Sequence, residues 1–206
     1  MSTEKTETIK KRYNRISRIY DMMDRMIKKH WRTELLSQVR GNVLEVGVGT
    51  GANLSFYPKD ISLTGIDFSL GMLSHARKKA NSTEEITYDL NLVEMDVQNL
   101  QFQDNTFDYV VATCVYCSVP DPVKGMKEMK RVCKPDGRIL LLEHMRSENA
   151  ALGNLMDIMN PLTVGLWGAN INRRTLENIL NAGMTIIDNE ELMGTVMRRL
   201  TLSPNK

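Results

Sequence analysis

Three alternating glycines mark the stretch of the chain that is best suited to binding a ligand. Val43-Leu44-Glu45-Val46 is an apolar run with one acid, and Gly47, Gly49 and Gly51 follow it before a helical pattern begins. Glycine lets the backbone turn sharply and leaves room for a ligand to approach the main chain. The free N–H groups of a following helix would point at that ligand. We therefore expect a ligand with a nucleotide-like body at this loop.

Two classes of cofactor fit the loop. Gly47, Gly49 and Ala52 satisfy the loose G-x-G-x-x-G/A pattern of dinucleotide sites, and Asp67 lies about 20 residues further on, where such sites have a ribose-binding acid. Against this, the glycines follow G-x-G-x-G, and Glu45 lies inside the strand. A buried strand has little reason to contain a carboxylate unless it meets a polar or cationic ligand. An NAD-dependent oxidoreductase stays a competing hypothesis at this point.

The composition describes a globular chain of one domain. It has 206 residues, of which 42% are hydrophobic and 25% charged, enough for one complete core. The longest apolar run, residues 110–119, is too short to span a bilayer, and the polar N-terminus contains no visible signal peptide. Three cysteines predict no disulfide framework and fit a reducing cytoplasm. Because Cys114 and Cys117 form an isolated C-x-x-C, we expect core or pocket thiols there rather than a metal site.

Strand and helix patterns alternate after the first 40 residues, which predicts an α/β fold with a mostly parallel sheet. Strands are predicted near 43–47, 62–67, 91–95, 107–113, 137–143, 184–191 and 195–202. Helices are predicted near 51–57, 70–80, 122–133 and 173–182. The last two strands are joined by a few residues around Gly194, so they should be antiparallel neighbours.

Five short motifs occur in an order that resembles the class I methyltransferases, which use S-adenosylmethionine (SAM). They are L-E-V-G-V-G-T-G at 44–51, G-I-D-F-S at 65–69, M-D-V at 95–97, F-D-Y-V-V at 107–111 and K-P-D-G at 134–137. The resemblance covers roughly residues 10–202. It implies a Rossmann-like, seven-stranded, mostly parallel sheet with a C-terminal antiparallel hairpin, and it implies SAM as cofactor and S-adenosylhomocysteine (SAH) as product. The sequence looks most similar to bacterial phosphatidylethanolamine N-methyltransferases and the quinone-biosynthesis methyltransferases.

The resemblance assigns ten residues to the cofactor. Glu45 would lie near the amino-acid end of SAM, Asp67 would accept both ribose hydroxyls, and Asp96 would accept from the adenine amino group. Phe68 and Met72 are equally credible as covers of the adenine and as plain core residues. The other expected contacts are Gly47, Gly49, Gly51, the backbone of Val97, and Thr113 at the end of the fourth strand.

Three side chains are candidates for the chemistry. Methyl transfer is an in-line displacement, so the protein mainly supplies orientation and excludes water, and an amine acceptor must lose its proton before attack. The candidate proton acceptors or positioning groups are Tyr20, Tyr116 and His144. His144 follows the fifth strand at the ligand edge of the sheet. Tyr20 lies in R-I-Y-D at 18–21, which is similar to the R-Y-D segment of quinone and phospholipid methyltransferases.

Residues 147–172 form an apolar, Met-rich insertion that looks like neither a strand nor an ordinary helix. Methionine adapts to irregular shapes, so the insertion would either line a pocket for a hydrophobic acceptor or pack on the core as a cap. Trp167 is its candidate substrate contact. Arg173 and Arg174, which open the next helix, are candidate ligands for a phosphate or carboxylate, and solvated surface arginines are the alternative.

The first 40 residues combine an apolar stripe with a basic one. They contain 11 Lys/Arg against 5 Asp/Glu. The apolar stripe is Ile9, Tyr13, Ile16, Tyr20, Met23 and Ile27, and the basic stripe is Lys11, Arg15, Arg18, Arg25, Lys29 and Arg32. The two stripes lie about 200° apart around a helix. Such a helix would lie on an anionic membrane surface, or cap the site as a lid, or both. Nucleic acid is not expected, because the basic stripe lacks an aromatic platform.

These patterns predict one domain in four segments: a basic helical lid (1–40), a SAM-binding core (41–146), a substrate-side insertion (147–172), and the last helix with the hairpin (173–206). The predicted activity is SAM-dependent methylation of a small hydrophobic or amphiphilic acceptor, with the amine of phosphatidylethanolamine as the best candidate. Quinone precursors and small thiols are the alternatives. The expected location is cytoplasmic and peripheral on the inner face of the membrane, and no metal is expected.

Overall fold

The computed structural model describes residues 27–206, apart from the side chain of Trp167. Residues 1–26, with Tyr20 and most of the N-terminal stripes, lie outside this range. Seven strands form one sheet in the order β3-β2-β1-β4-β5-β7-β6. They are β1 (Gly41–Val46), β2 (Ile61–Asp67), β3 (Asp89–Glu94), β4 (Phe107–Thr113), β5 (Cys133–His144), β6 (Thr185–Met193) and β7 (Met197–Ser203).

The sheet is parallel from β3 to β5, and β7 is antiparallel both to β5 and to β6. This topology confirms the predicted α/β class I methyltransferase fold with its C-terminal antiparallel hairpin. The K-P-D-G motif lies within β5 as an irregularity, since the register with β4 shifts between the Phe107–Cys133 and Tyr109–Arg138 pairs.

The helices of the described range are α1 (Lys29–Leu36), α2 (Leu70–Ser82), α3 (Pro122–Val132), α4 (Ala150–Trp167) and α5 (Thr175–Asn181). Three of them, α2, α3 and α4, begin at side chains that accept a backbone N–H, as helix N-termini require. Ser69 Oγ accepts from Met72 N at 3.2 Å, and Asp121 accepts from Lys124 N at 3.0 Å. Among the described residues, no helix has the length and apolar character that crossing a membrane needs.

Helices cover both faces of the sheet, and the strand residues alternate between the two cores. In β5, Ile139 and Leu141 join a core beneath α3 and α5, whereas Leu140 and Leu142 join a core beneath α1 and α2. Successive residues of a strand point to opposite faces, so a strand buried on both sides is apolar throughout. This explains why the central strands have near-continuous apolar sequences.

Two predictions of secondary structure are wrong. Residues 51–57 do not form a helix but turns and a short 3-10 helix, Leu54–Phe56. The insertion does contain a regular helix, α4, which begins where Asn149 accepts from Leu152 N and ends at left-handed Gly168. This helix is apolar on its exposed side, so its sequence lacks the usual contrast between an apolar inner face and a polar outer face.

The short helix α1 corrects part of the predicted basic stripe. Trp31, Leu35 and Leu36 are buried in the core beneath β1, as an apolar face should be. Arg32 was assigned to the exposed basic face, yet it is only 4% exposed. Its side chain turns toward the loop after β1, where it becomes part of the site.

Candidate active site

A cleft opens at the carboxyl ends of β1 to β4, with about 620 Å³ of empty space, part of it open to solvent. This volume is in the range of small-molecule sites. Seven of the ten predicted cofactor contacts line it, namely Gly47, Gly49, Asp67, Phe68, Met72, Asp96 and Val97. Glu45, Gly51 and Thr113 lie behind the lining. The remaining walls come from Val46 and Ile66 near the ends of β1 and β2, from Met95 and Gln98 after β3, and from the segment 114–120 after β4.

The glycine loop requires glycine for two physical reasons. Gly47, Gly49 and Gly51 have φ of 67°, 57° and 82°, in the left-handed region that other residues rarely adopt. In addition, a Cβ at Gly47 would lie 2.5 Å from a methyl carbon of Val115, and one at Gly51 would lie 2.8 Å from Leu54. The loop therefore presents bare backbone to the cleft.

Asp67 ends β2 and is held rigidly in the cleft wall. One carboxylate oxygen accepts from Gly49 N at 3.1 Å, and the other accepts from Ser69 N at 2.9 Å. Burial raises the pKa of Asp67 to about 6, and these two hydrogen bonds offset only part of that effect. An oriented acid beside a glycine loop suits the hydroxyls of a ribose.

Asp96 is bound to a residue that the sequence analysis did not select. Gln98 donates its backbone N–H and its side-chain amide to the Asp96 carboxylate, at 2.9 to 3.0 Å. The amide oxygen of Gln98 accepts from the backbone N of Asp121 at 3.0 Å. Gln98 thus fixes Asp96 and connects it to the start of α3. Only its position after the M-D-V motif hinted at this role.

A buried polar chain lies behind the glycine loop. Asn53 donates its amide N–H groups to Glu45 at 2.8 Å and to the Thr113 hydroxyl at 3.0 Å, and its oxygen accepts from Arg32. Arginine has only donors, so it fixes which way the Asn53 amide faces. Glu45 is 2% exposed, and the sequence predicted a polar or cationic ligand for it, not its hydrogen-bond partner Asn53.

The three candidate proton acceptors or positioning groups differ in where they lie. Tyr20 lies outside the described residues. Tyr116 is fully buried in the core beneath α3, and its hydroxyl donates to the sulfur of Met129 at 2.6 Å. The hydroxyl of Tyr116 therefore faces the core, not the cleft, and its prediction as a proton acceptor is wrong. His144 is half-buried at the end of β5, and burial lowers its pKa, so the imidazole is neutral at neutral pH.

The predicted substrate arginines are engaged with the protein itself. Arg173 donates to the carbonyl of Val119 at 2.6 Å, and Arg174 forms a surface ion pair with Glu177 at 3.1 Å. Both line a smaller cavity beyond the cleft. The side chain of Trp167 lies outside the described part of the structure.

The thiols of Cys114 and Cys117 fit the prediction of core or pocket residues. Cys114 lines the cleft, and burial raises the pKa of both thiols, that of Cys117 to about 12. Within residues 27–206, no group of three or more His, Cys, Asp or Glu side chains is placed to hold a metal ion.

The cleft fits SAM by its own chemistry. The glycine backbone leaves space that a Cβ would fill, Asp67 offers an oriented acid for the ribose, and Phe68 and Met72 offer apolar surface for the base. Asp96 and Val97 line the same cleft. Glu45, behind the lining, is the acid nearest the start of the glycine loop.

Comparisons with known proteins agree with this geometry. Residues 44–141 match the family model of the methyltransferase domain. Over 139 residues the chain is 38% identical to a phosphatidylethanolamine N-methyltransferase of Cereibacter sphaeroides, covering 65% of this chain and 67% of the relative. Over 155 residues it is 34% identical to a demethylmenaquinone methyltransferase of Listeria monocytogenes, covering 69% and 65%. The chain thus spans about two thirds of the length of these relatives.

A solved structure gives the same fold over nearly the whole chain. A SAM-dependent methyltransferase of Thermotoga maritima superposes with a TM-score of 0.67 at 18% identity, over 92% of this chain and 98% of that one. These matches exclude the dinucleotide alternative for the glycine loop and establish SAM as the cofactor. The chain belongs to the class I SAM-dependent methyltransferases.

Proposed function

We propose that this methyltransferase acts on the primary amine of phosphatidylethanolamine. The similarity to the phosphatidylethanolamine N-methyltransferase of Cereibacter sphaeroides carries the proposal, because it extends over 139 residues, 65% of this chain, at 38% identity. The cofactor residues alone do not distinguish acceptors, since they bind the part of SAM that every acceptor shares.

Within this proposal, the residues of the cleft hold the donor and exclude water. Asp67 binds the ribose, Asp96 and Val97 bind the adenine edge, and Glu45 lies toward the amino-acid end. Bound SAM supplies a methyl group on a positively charged sulfur, which makes that methyl an electrophile. The protein's task is then to bring a neutral amine into line with it, and orientation of this kind accounts for much of the rate of a displacement.

His144 is the proposed proton acceptor for the amine. A protonated amine has no lone pair for the attack, so a neighbouring base is needed. Burial lowers the pKa of His144, which leaves an unprotonated nitrogen at neutral pH. The residue ends β5 at the ligand edge of the sheet, and β5 pairs with β4, which is followed by the cleft residue Cys114. Tyr20 stays a second candidate from the sequence.

The surface of α4 supports an amphiphilic acceptor. Six large apolar side chains of this helix are between 43% and 77% exposed: Leu152, Leu155, Ile158, Met159, Leu162 and Leu166. Large exposed apolar patches are uncommon on monomeric proteins and mark interaction sites. The residues after α4 contact the cleft wall, where Asn170 donates to the Cys117 carbonyl at 2.9 Å. A lipid surface beside the cleft, also favoured by the basic N-terminal sequence, suits a phospholipid acceptor.

The test is a direct transfer assay. The protein is incubated with SAM labelled in its methyl group and, in separate reactions, with phosphatidylethanolamine vesicles, a quinone precursor and a small thiol. We expect label in the monomethylated lipid. The variant Asp67→Asn is the matched control and should transfer no label. Label in the quinone or thiol reaction without label in the lipid would contradict the proposal.

A quinone precursor is the second candidate, and one observation favours it. The 34% identity to the demethylmenaquinone methyltransferase of Listeria monocytogenes extends over 155 residues. A carbon acceptor of this kind is a better nucleophile as an anion, so it too would need a proton acceptor near the methyl group. The same three reactions separate the two candidates.

A further inference from the structure

One wall of the cleft, residues 114–120, is held at its start by a buried carboxylate. Glu143, near the end of β5, accepts hydrogen bonds from the backbone N–H groups of Val115 at 2.9 Å and Tyr116 at 3.3 Å. Both bonds end on the same oxygen, Oε1. The carboxylate therefore fixes the direction in which the chain leaves β4.

The other end of this wall is held from the residues that follow α4. Asn170 donates to the carbonyl of Cys117 at 2.9 Å, and Arg173 donates to the carbonyl of Val119 at 2.6 Å. These bonds fix residues 117–119. The start of the wall depends on Glu143.

The start of the wall has a strained backbone and a close neighbour. Cys114 has φ of 52°, a conformation that is strained for a non-glycine residue and persists only where the surroundings impose it. This turn brings Val115 against the glycine loop, where its methyl carbon lies 2.5 Å from the position of a Cβ on Gly47. The position of Val115 therefore sets the width of the cleft beside the loop.

Burying the carboxylate of Glu143 costs free energy. It is fully buried, its second oxygen has no hydrogen-bond partner among the described residues, and burial raises its pKa to about 7 despite the two N–H groups and Arg173. A buried charge with incomplete partners does not add stability. Such a group at the edge of a binding cleft points to a functional role.

We propose that Glu143 is a positioning residue for the cofactor: its carboxylate holds Val115 against the glycine loop, and SAM binds less tightly when that carboxylate is removed or displaced. Glu143 does not line the cleft, so it acts through the backbone of the wall. The inference rests on the methyltransferase assignment and is independent of which acceptor is methylated.

The charges and titratable groups around Glu143 come from four parts of the chain. Tyr116, Cys114 and Cys117 follow β4, and burial, followed by the negative charge of Glu143, raises the pKa of all three. Arg173 precedes α5 and lowers the pKa of Glu143. His144 is adjacent on β5, and Arg198 lies opposite in the β7 register but pairs with Glu148 and Glu191.

The first test measures SAH affinity by calorimetry at pH 8 for Glu143→Gln and Glu143→Asp. Glutamine keeps the shape but removes the charge, and aspartate keeps the charge but draws the carboxylate away from the two N–H groups. We expect both variants to bind SAH about tenfold more weakly, the loss typical of a charge-assisted hydrogen bond. Glu85→Gln, which changes an exposed glutamate in the turn after α2, is the matched control and should bind SAH as the unmodified protein does.

The second test measures the alkylation rate of Cys114 in the background Cys117→Ser, Cys133→Ala. Burial, and after it the charge of Glu143, raises the pKa of the Cys114 thiol. Removing that charge in Glu143→Gln should therefore make the thiol react several-fold faster at pH 8, and SAH should protect it. Unchanged SAH affinity in either folded variant overturns the proposal, and so does weaker binding with no change in alkylation. If Glu143→Gln gives no folded protein, the SAH affinity of Glu143→Asp decides.

Discussion

Val115 occupies the space in which a side chain at Gly47 would begin. A Cβ on Gly47 would lie 2.5 Å from Cγ2 and 3.0 Å from Cγ1 of Val115, well inside van der Waals contact. The two residues belong to neighbouring strands, since Gly47 follows β1 and Val115 follows β4. The glycine loop and the wall of residues 114–120 therefore form the cleft together and are in close contact at Gly47 and Val115.

Replacing this glycine tests the contact. Gly47→Ala should weaken SAH binding at least tenfold in calorimetry, because it adds both a clash and strain at φ 67° of about 1–3 kcal/mol. Adding Val115→Ala should restore part of the affinity, since it removes the clash but not the strain. Gly165→Ala, where a new Cβ meets open space, is the control. SAH affinity that is unaffected by Gly47→Ala would show that the close approach is not needed.

Asp67 predicts how SAH binding depends on pH. Its pKa is raised to about 6, so the carboxylate is ionised above that value and becomes protonated as the pH falls through it. We expect SAH affinity to decline below about pH 6, and Asp67→Asn to bind weakly at every pH. Calorimetry between pH 5 and 8 measures both, with the exposed Asp60→Asn as control. A decline of the same size in Asp67→Asn would assign the titration to another group.

The fold and the lining of the cleft could be predicted because both leave local signals. A buried parallel strand is apolar throughout, and β1, β4 and β5 have such sequences; an acid that follows an apolar strand, as Asp67 does, lies at the ligand edge. α4 could not be predicted, because its exposed side is apolar. The usual contrast of polar and apolar faces is a signal only for helices that face water.

The residues that hold the cleft lining from behind leave no such local signal in the sequence. Arg32 and Asn53 are 21 residues apart, and Glu143 lies 28 residues from Val115, so only the folded chain brings each pair together. The spacing of Arg32 within the basic stripe even predicted exposure. Hydrogen bonds of this kind depend on the tertiary arrangement, which a periodic pattern in one element does not encode.

The polar chain behind the loop should matter for both stability and binding. Asn53→Ala removes the donor that Glu45 and Thr113 share and also the acceptor of Arg32. We expect the free energy of unfolding in urea to fall by about 1–3 kcal/mol, the cost of leaving buried groups unsatisfied, and SAH affinity to fall with it. Asn81→Ala, an exposed position in α2, is the control. Unchanged stability would mean that water replaces the amide at no cost.

Glu143 predicts the direction in which pH changes the stability of the ligand-free protein. Its folded pKa of about 7 lies above the ordinary 4.5, so between these values the folded state binds more protons than the unfolded state. Stability from this group is therefore complete below about pH 4.5 and is lost as the pH rises to 7, by at most about 3 kcal/mol. Urea unfolding from pH 5 to 8 should show a smaller decline for Glu143→Gln than for the unmodified protein. A decline of equal size would mean that Glu143 is not protonated in this range.

The exposed apolar side of α4 predicts that its loss lowers the rate of methylation of lipid in a bilayer more than that of lipid in solution. Ile158 and Leu162 are 77% and 60% exposed, so replacing both by Gln should leave folding and SAH affinity unchanged while weakening contact with a lipid surface. We expect methylation of phosphatidylethanolamine in vesicles to fall several-fold, with little change for a short-chain, soluble analogue. Leu180→Gln, 62% exposed on α5, removes a comparable apolar side chain away from α4 and should change neither rate. If the two rates fall together in the α4 variant, the helix contributes to acceptor binding itself; if neither falls, its apolar side serves a partner other than the lipid.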